Sequence, residues 1–503
     1  MNIMLIDPPF YRFMGYYNRY FPLGLAYMAA VLRNEGHKVL IYDSDANINP
    51  SKMDFSHLEQ SYPLYLQSLK DDRHHLWQEM KGDIHNFKPD VIGISVWTSF
   101  AASAFKIASL CKGYDHSIPI VIGGPHISLK HEEVIKICPD VDYLITGEGE
   151  TTFSELLKIL QNIKTYENSD DPFKDIKGLS YKLNGVAVHN PHREFISDLD
   201  SLPFPAYDLL FNKDCYTAED MGLIMSSRGC PYGCSYCATE IWKRKVRYHS
   251  VDYIVEAIHR VIKEFGTKQF SFKDDSLTAN KKRVLALCDK LIKENIAINW
   301  DCNTRVDLVD EELLRKMKAA GCNSIKVGIE TGSEKVLKLV NKKTTLAQAR
   351  DAAKLFKKVG IHWTGYFMIG IPSETREEIY QTLNFMREIK PDFASLSVYG
   401  PFPGTDLFKI GIESGLIQNE MTMEDFFNMS PKHYYMKDIT RRVDTMDGAA
   451  FESLELEMRK AFNEYNKSFI RLAKRAMARR KIYFEEPQVL LGDIIRFWSW
   501  MKN

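Results

Sequence analysis

The stretch that decides the fold reads Gly222-Leu223-Ile224-Met225-Ser226-Ser227-Arg228-Gly229-Cys230-Pro231-Tyr232-Gly233-Cys234-Ser235-Tyr236-Cys237. It opens with a short apolar run that gives way to small polar residues, the pattern of a buried strand that stops at a loop. The loop then carries three cysteines within eight positions, with Gly229, Pro231 and Gly233 shaping the turns between them. Six further cysteines, Cys111, Cys138, Cys215, Cys288, Cys302 and Cys322, are scattered, so the clustering of the other three requires a cause.

Downstream of this stretch, strand and helix patterns alternate about six times. The strands are Leu223–Ser227, Gln269–Lys273, Ile298–Asn303, Ser324–Ile329, Gly365–Ile369 and Ala394–Val398. Six such units predict a partial (β/α)6 TIM-like barrel over residues 222–405, with its chemistry at the C-terminal strand ends. Upstream, short apolar runs at Ile3–Ile6, Lys38–Tyr42, Val91–Val96, Ile118–Ile122 and Tyr143–Ile145 alternate with helical stretches at Leu23–Arg33 and Ser99–Leu110. That pattern predicts a five-stranded, doubly wound, Rossmann-like domain over residues 1–163. The class is α/β throughout.

In a doubly wound sheet the ligand crevice lies beyond the strand C-termini. The segments there are Asp7-Pro8-Pro9, Asp43–Asp45, Trp97-Thr98-Ser99, Gly123-Gly124-Pro125-His126 and Gly147-Glu148-Gly149-Glu150. Any one glycine pair is a turn; the set, placed together at strand ends, reads as a binding rim. Residues 164–221 read as a linker holding a hairpin at Asn184-Gly185, a strong two-residue turn signal. Residues 406–503 read as a helical region, broken by loops around Pro431 and Pro487.

Bulk properties remove several classes. Lys plus Arg and Asp plus Glu both number 66, so the 503-residue chain has no global electrostatic hold on nucleic acid. No run approaches the roughly 18 apolar residues of a spanning helix. The start, MNIMLIDPPF, lacks a basic n-region and a cleavage site, which predicts a cytoplasmic protein. In that reducing compartment nine cysteines do not form a disulfide framework.

Cys230, Cys234 and Cys237, spaced by four and three, can wrap three irons of a cubane; a self-contained cluster site supplies four thiolates. One iron then stays open to a ligand, as a catalytic zinc with three protein ligands does. A zinc site would want a fourth Cys or His at ribbon or finger spacing, and none follows.

The Cys-x-x-x-Cys-x-x-Cys pattern, with an aromatic before the last Cys, resembles the radical S-adenosylmethionine superfamily over roughly residues 222–405. The resemblance implies a 4Fe-4S cluster whose free iron binds S-adenosylmethionine, and reductive cleavage of that molecule to a 5′-deoxyadenosyl radical. It further implies that Asp274 or Asp275 accepts from the methionine ammonium, that Arg305 pairs bidentately with its carboxylate and that Glu330 takes ribose hydroxyls. Gly370-Ile371-Pro372 would lie on the adenine side, and Tyr236 would line the adenine pocket.

A doubly wound domain ahead of such a barrel resembles the cobalamin-binding class of the superfamily. Pro22-Leu23-Gly24-Leu25-Ala26 with Gly36-His37, Gly123–His126 and Gly147–Glu150 carry that likeness. The cobalt-ligating Asp-x-His-x-x-Gly pattern is not matched: Asp83-Ile84-His85 is followed by Lys88 and precedes the third strand. His85 therefore reads as a surface residue, no protein histidine is expected on cobalt, and His126 is kept as an outside candidate for a cofactor contact.

Together the two resemblances imply methylation of an unactivated carbon. Oxidative cyclisation or rearrangement, as in the anaerobic porphyrin cyclase branch, uses the same parts. A methylthiotransferase would carry three more cluster cysteines in its first domain, where this chain has only the widely separated Cys111 and Cys138. A non-catalytic cobalamin sensor or carrier would explain the first domain but leave the cysteine triad without a purpose.

The implied partners are a small-molecule, natural-product or lipid substrate and an external electron donor of flavodoxin or ferredoxin type. Phe462, Tyr465, Phe469, Leu472 and Ala476 follow helical spacing beside a basic run from Arg471 to Lys481, and Phe497, Trp498 and Trp500 end the chain. A basic amphipathic helix of that kind raises peripheral membrane contact as an alternative to docking on the barrel.

Overall fold

The computed structural model describes residues 1–16, 21–47, 58–166, 170–478, 480–485, 490, 491 and 494. They form two compact units, each assembled from separate stretches of chain.

The first unit comprises residues 1–221, 236–250 and 400–437. Its sheet contains β1 (Asn2–Asp7), β2 (Lys38–Asp43), β3 (Val91–Ser95), β4 (Ile120–Gly123), β5 (Tyr143–Ile145), β6 (Leu179–Leu183) and β7 (Val186–His189). The order is β2-β1-β3-β4-β5-β6-β7, with the first five strands parallel. Near-continuous apolar runs such as Ile3–Ile6 and Val91–Ile94 are what a sheet covered on both faces demands. The covering helices include α1 (Leu23–Asn34), α2 (Tyr62–Lys70), α3 (His75–Phe87), α4 (Ala101–Tyr114), α5 (Pro125–Ile137) and α6 (Gly149–Gln161). The order reverses between β1 and β3, and this is the switch point at which such sheets open a ligand crevice.

One expectation is corrected here. The hairpin placed in a linker pairs antiparallel with β5 and completes a seven-stranded sheet. The physical reason is the three-residue β5, which would otherwise leave an open edge. Asn184 and Gly185 both take positive φ, 50° and 80°, as the tight two-residue turn requires. The region after residue 405 is helical with a break around Pro431, and it divides between the two units. Its first part packs Phe408, Ile417, Phe426 and Tyr435 into the core of the first unit, and Tyr435 donates its hydroxyl to Glu133 at 2.9 Å.

The second unit comprises residues 222–235, 251–399 and 438–503. Six parallel strands, β8 (Leu223–Ile224), β9 (Gln269–Phe272), β10 (Asn299–Thr304), β11 (Cys322–Glu330), β12 (His362–Ile369) and β13 (Phe393–Val398), lie side by side in chain order. Between them run α7 (Val251–Phe265), α8 (Lys281–Lys293), α9 (Glu311–Ala319), α10 (Glu334–Leu339), α11 (Leu346–Val359) and α12 (Arg376–Ile389). Helix starts are fixed locally: Thr345 with Gln348 and Thr375 with Glu378 form capping boxes on α11 and α12. One strand face is apolar and buried, through Phe270, Phe272, Trp300, Cys302, Ile325 and Val327. The alternate positions are polar and only half-buried.

The C-terminal stripe is corrected too. Helix α13 (Asp406–Glu413) and α14 (Met423–Asn428) belong to the first unit, and α15 (Gly448–Lys467) to the second. The expected continuous stripe breaks at Ser468, extended at φ −59°, ψ 134°, before α16 (Phe469–Ala478). Phe462 packs edge-on against Phe367 and Tyr465 donates to the Pro391 carbonyl at 2.7 Å, so both are docked on the second unit. Phe497, Trp498 and Trp500 lie outside the described residues. Among the described residues, no helix is long and apolar enough to cross a membrane.

Candidate active site at the strand ends

In the second unit, the loop that follows β8 is tied down on both sides of its first two cysteines. Ser226 and Ser227 both donate their hydroxyls to Asp274, the former at 2.7 Å, and the Ser226 backbone N–H adds a third bond at 3.2 Å. Arg283 donates to the Ser226 carbonyl at 2.6 Å. Beyond Cys230, Asn341 donates to the Gly233 carbonyl at 2.6 Å and the Ser235 N–H donates to the Val340 carbonyl at 2.9 Å. Cys230 and Cys234 are half-buried and in no disulfide, as is Cys237, which lies in the stretch 236–250 that belongs to the first unit, and Thr239 donates to the Cys237 sulfur at 3.4 Å. Among the described residues no three His, Cys, Asp or Glu side chains converge on a point that would hold a single ion. A cubane asks for a different arrangement, one thiolate for each of three irons.

The surroundings of Cys234 are cationic. The Arg305 guanidinium lies 3.8 Å above the Tyr232 ring and brings Nη1 to 3.9 Å from the Cys234 sulfur. Lys342, buried, donates to Glu330 at 2.6 Å and lies within electrostatic reach of the same sulfur. Burial opposes its charge, yet Glu330 and Cys234 outweigh that effect, and its pKa is raised. The thiolate is the form of cysteine that binds metal.

Several of the expected ligand-facing residues have partners within the chain. The Nε/Nη2 edge of Arg305 is engaged by Asp307, at 2.9 and 3.0 Å. Asp274 is 1% exposed and saturated by the two serines, which leaves Asp275, exposed at the strand end, as the carboxylate open to a ligand. Although it reaches solvent, partial desolvation by the protein packed around it, and then the charge of Asp274, push the Asp275 carboxyl up to about 6. Glu330, at φ 68° beyond a register shift in β11, has one oxygen on Lys342. The Gly370 and Ile371 N–H groups both donate to Glu374, at 2.7 and 3.2 Å. Pro372 is buried beside them, whereas Tyr236 is half-buried. Glu374 is fully buried with Oε1 unpartnered, and burial pushes its carboxyl up to about 8.

The sequence reading missed Tyr232, Asp307, Lys342 and Glu374. Asp307 stands two residues from Arg305, a spacing that offered a local partner for the guanidinium. Nothing marked Lys342, because its role depends on a turn brought back from twelve residues beyond Glu330.

In the first unit, the strand-end segments divide into anchors and rim. Asp45 accepts from the N–H groups of Phe10, Tyr11 and Arg12 at 2.9, 3.0 and 2.9 Å, which fixes the loop after β1. Asp43 accepts from Tyr216, and burial followed by the charge of Asp45 pushes its carboxyl up to about 7. Glu148 is also an anchor: it accepts from Ile196 N–H at 2.7 Å and Arg247 at 2.6 Å, which removes it from the rim. Gly149 is packed against Met28.

His126 is fully buried, with Nδ1 3.2 Å from the Thr98 hydroxyl and Nε2 without a partner. Burial lowers its pKa to about 3, so it is a neutral packing group near Phe426. His85 is exposed on α3, 3.0 Å from the Tyr114 hydroxyl. What remains on the rim is Trp97, 52% exposed at the switch-point strand, with half-buried Thr98, Ser99, Gly123, Gly124 and Pro125 and exposed Gly147. Gly124, at φ 115°, lies so close to β3 that a Cβ would stand 2.8 Å from the Val96 carbonyl oxygen.

Residues 224–386 match the family model of the radical SAM superfamily, and residues 15–157 match that of the B12 binding domain. An uncharacterized methyltransferase of Pyrococcus horikoshii is 33% identical over 88% of this chain and 90% of its own length. The chain belongs to the radical SAM superfamily. This radical SAM protein is also 28% identical, over 77% of its length and 69% of the relative's, to the anaerobic magnesium-protoporphyrin IX monomethyl ester cyclase of Rubrivivax gelatinosus. A radical SAM methyltransferase from Kitasatospora setae, solved with cobalamin and a 4Fe-4S cluster, superposes with a TM-score of 0.63 over 83% of this chain and 76% of its own, at 17% identity. That likeness fixes the α/β architecture. As a radical SAM protein with a B12 binding domain the chain is an enzyme, with a 4Fe-4S cluster, S-adenosylmethionine and cobalamin as its cofactors and a small molecule as its substrate. The reading as a non-catalytic sensor or carrier falls with that assignment.

Proposed function

We propose that this enzyme transfers a methyl group to an unactivated carbon of its substrate. The observation that carries the proposal is the Cys230–Cys237 loop, pinned at Ser226–Ser227 and again at Gly233–Ser235, in a chain that also matches the B12 binding domain. The name and full-length similarity of the Pyrococcus relative support it. Bound together, the cofactors supply a 5′-deoxyadenosyl radical and a transferable methyl group.

The chain's own contribution is to hold and orient them. Cys230, Cys234 and Cys237 are proposed as the ligands of three irons, with Arg305 and Lys342 beside the Cys234 sulfur. Asp275 is proposed to accept from the methionine ammonium, the second oxygen of Glu330 to accept from ribose, and Tyr236 to flank adenine. In the first unit the exposed Trp97 indole and the backbone at Gly123, Gly124 and Gly147 are proposed to take the flat corrin. They suit it because they offer exposed indole surface and backbone with no side chain in the way, whereas His126 is fully buried.

A low-potential flavodoxin or ferredoxin is the proposed electron donor and a natural product or lipid the proposed substrate class. Docking of Phe462 and Tyr465 on the second unit weighs against a membrane role for the stripe as a whole. The basic segment beyond Ser468 is tested by salt-sensitive co-sedimentation with anionic liposomes.

The second reading, oxidative cyclisation, is favoured by the similarity to the Rubrivivax cyclase. Anaerobic incubation with S-adenosylmethionine, reductant and hydroxocobalamin separates the two. Formation of both 5′-deoxyadenosine and S-adenosylhomocysteine supports methyl transfer. 5′-Deoxyadenosine alone sinks it in favour of cyclisation or rearrangement.

A further inference from the structure

A tight turn a few residues beyond Cys237 breaks a local rule. Lys243 and Arg244 are its two central residues, at φ 48° and 57°, and the Lys245 N–H closes it on the Trp242 carbonyl at 2.9 Å. Two successive left-handed positions suit Asn and Gly, because a residue with a larger side chain is strained there. This chain sets two long cationic side chains in them. Backbone strain of that kind, held where no core packing demands it, points to function.

The neighbouring residues show what the turn displays. Arg247 faces inward: its guanidinium stacks over the Phe195 and Trp242 rings, 4.7 and 5.5 Å from their centroids, and donates to Glu148 at 2.6 Å and to the Ile196 carbonyl at 2.9 Å. The base of the loop is thereby fixed. Lys243, Arg244 and Lys245, at its tip, are all exposed. Between Cys237 and Ser250 the sequence holds four Lys and Arg residues against one acid, Glu240, so with Arg247 paired to Glu148 the loop keeps a surplus of positive charge. A chain of zero net charge has no general attraction for acidic partners, and this surplus acts locally.

Position in the chain indicates the partner. Lys243 is six residues from Cys237, so the chain between them spans at most about 20 Å, and the 3-10 helix Ala238–Trp242 shortens that reach. Reductive cleavage of S-adenosylmethionine takes its electron from outside the chain, and a protein that delivers it must approach the cysteine loop. Flavodoxins and ferredoxins present acidic faces. Encounters between electron-transfer proteins are small and brief, and charge complementarity sets their rate and orientation.

We infer that the Lys243–Lys245 tip is the docking surface for an acidic one-electron donor protein of flavodoxin or ferredoxin type. The docked donor is oxidised by one electron and the cluster is reduced by one, with no proton or group transferred. The inference rests on the proposed radical chemistry only in requiring an external electron.

The test titrates anaerobically reconstituted holoenzyme, at low ionic strength, with oxidised flavodoxin and separately with oxidised 2Fe-2S ferredoxin, following binding by calorimetry. Saturable binding of one of them is expected, weakening as salt is added and weakened at least tenfold in the double variant Lys243→Glu/Lys245→Glu. The half-saturating concentration of the reduced donor in 5′-deoxyadenosine formation rises alike, whereas formation driven by dithionite is unchanged. A second double variant, Lys243→Asn/Arg244→Gly, supplies the residues that the turn favours. It is expected to melt a few degrees higher and yet to bind the donor more weakly, a combination that a purely structural turn does not produce. No saturable binding of either donor, or equal binding by wild type and Lys243→Glu/Lys245→Glu, overturns the inference. So does a Lys243→Asn/Arg244→Gly protein that is no more stable than wild type or binds the donor equally well. Absence of 5′-deoxyadenosine even with dithionite overturns the proposed chemistry, and the binding titration then still decides the docking surface.

Discussion

Arg305 has a partner inside the chain that its position in the sequence alone did not bring out. A guanidinium after the third barrel strand suits a carboxylate, but Asp307, two residues on, already occupies its fork. Its Nη1 faces the Cys234 sulfur, a proposed cluster ligand, and donors to cluster sulfurs stabilise the reduced, more negative state. Arg305→Gln is therefore expected to lower the cluster midpoint potential by tens of millivolts, on the order of a few-fold to tenfold in the reduction equilibrium. A redox titration followed by electron paramagnetic resonance checks it. An unchanged potential with intact iron content would reduce Arg305 to a packing role. The cysteines themselves were legible because three thiols in eight positions have few physical explanations, whereas Lys342 and Glu374 acquire meaning only through neighbours that the fold supplies. Iron analysis of Cys230→Ser, Cys234→Ser and Cys237→Ser is expected to show loss of the cluster in each.

Among elements, the strands read well and their edges did not. All six strands of the second sheet follow from apolar runs of the right length, and the five parallel strands of the first sheet follow in the same way. The hairpin at Asn184-Gly185 was visible as a hairpin, but its destination depends on β5 being too short to close an edge, which no local pattern encodes. The turn from β12 to α12 makes an element-scale prediction. There Glu374 accepts from two N–H groups while fully buried, and Thr445 donates to its backbone carbonyl. Its folded-state pKa, about 8, lies above the ordinary 4.5, so the folded state binds the proton more tightly. The stabilisation is complete below about pH 4.5 and is lost as pH rises through 8, by an amount on the order of a few kcal/mol. Thermal melts from pH 5 to 9 should show Glu374→Gln gaining on wild type as pH rises. A constant difference across that range would refute the assignment.

For the molecule as a whole, an open six-stranded sheet has an edge problem that a closed barrel avoids. At β13 the solution comes from 72 residues away. The Asn466 side chain accepts from the Ala394 N–H at 2.9 Å and donates to the Ala394 carbonyl at 2.7 Å, so one amide imitates the next strand. The rest of α15 seals the same region: Phe451 is 1% exposed and Phe462 packs on Phe367 from β12. This explains why the chain continues past its last strand and why its helical end could not be assigned from periodicity, since the partner of Asn466 is a backbone edge rather than a stripe. Asn466→Ala leaves a buried donor and acceptor unpaired, at a cost of about 1–3 kcal/mol each before relaxation. Asn466→Asp keeps an acceptor for the Ala394 N–H but sets a carboxylate oxygen against its carbonyl. The expected order of stability in urea is wild type, then Asn466→Ala, then Asn466→Asp, with concentration-dependent aggregation rising in the same order by light scattering as the edge is uncovered. Equal stability of all three proteins would mean that α15 holds the edge through its apolar side chains alone.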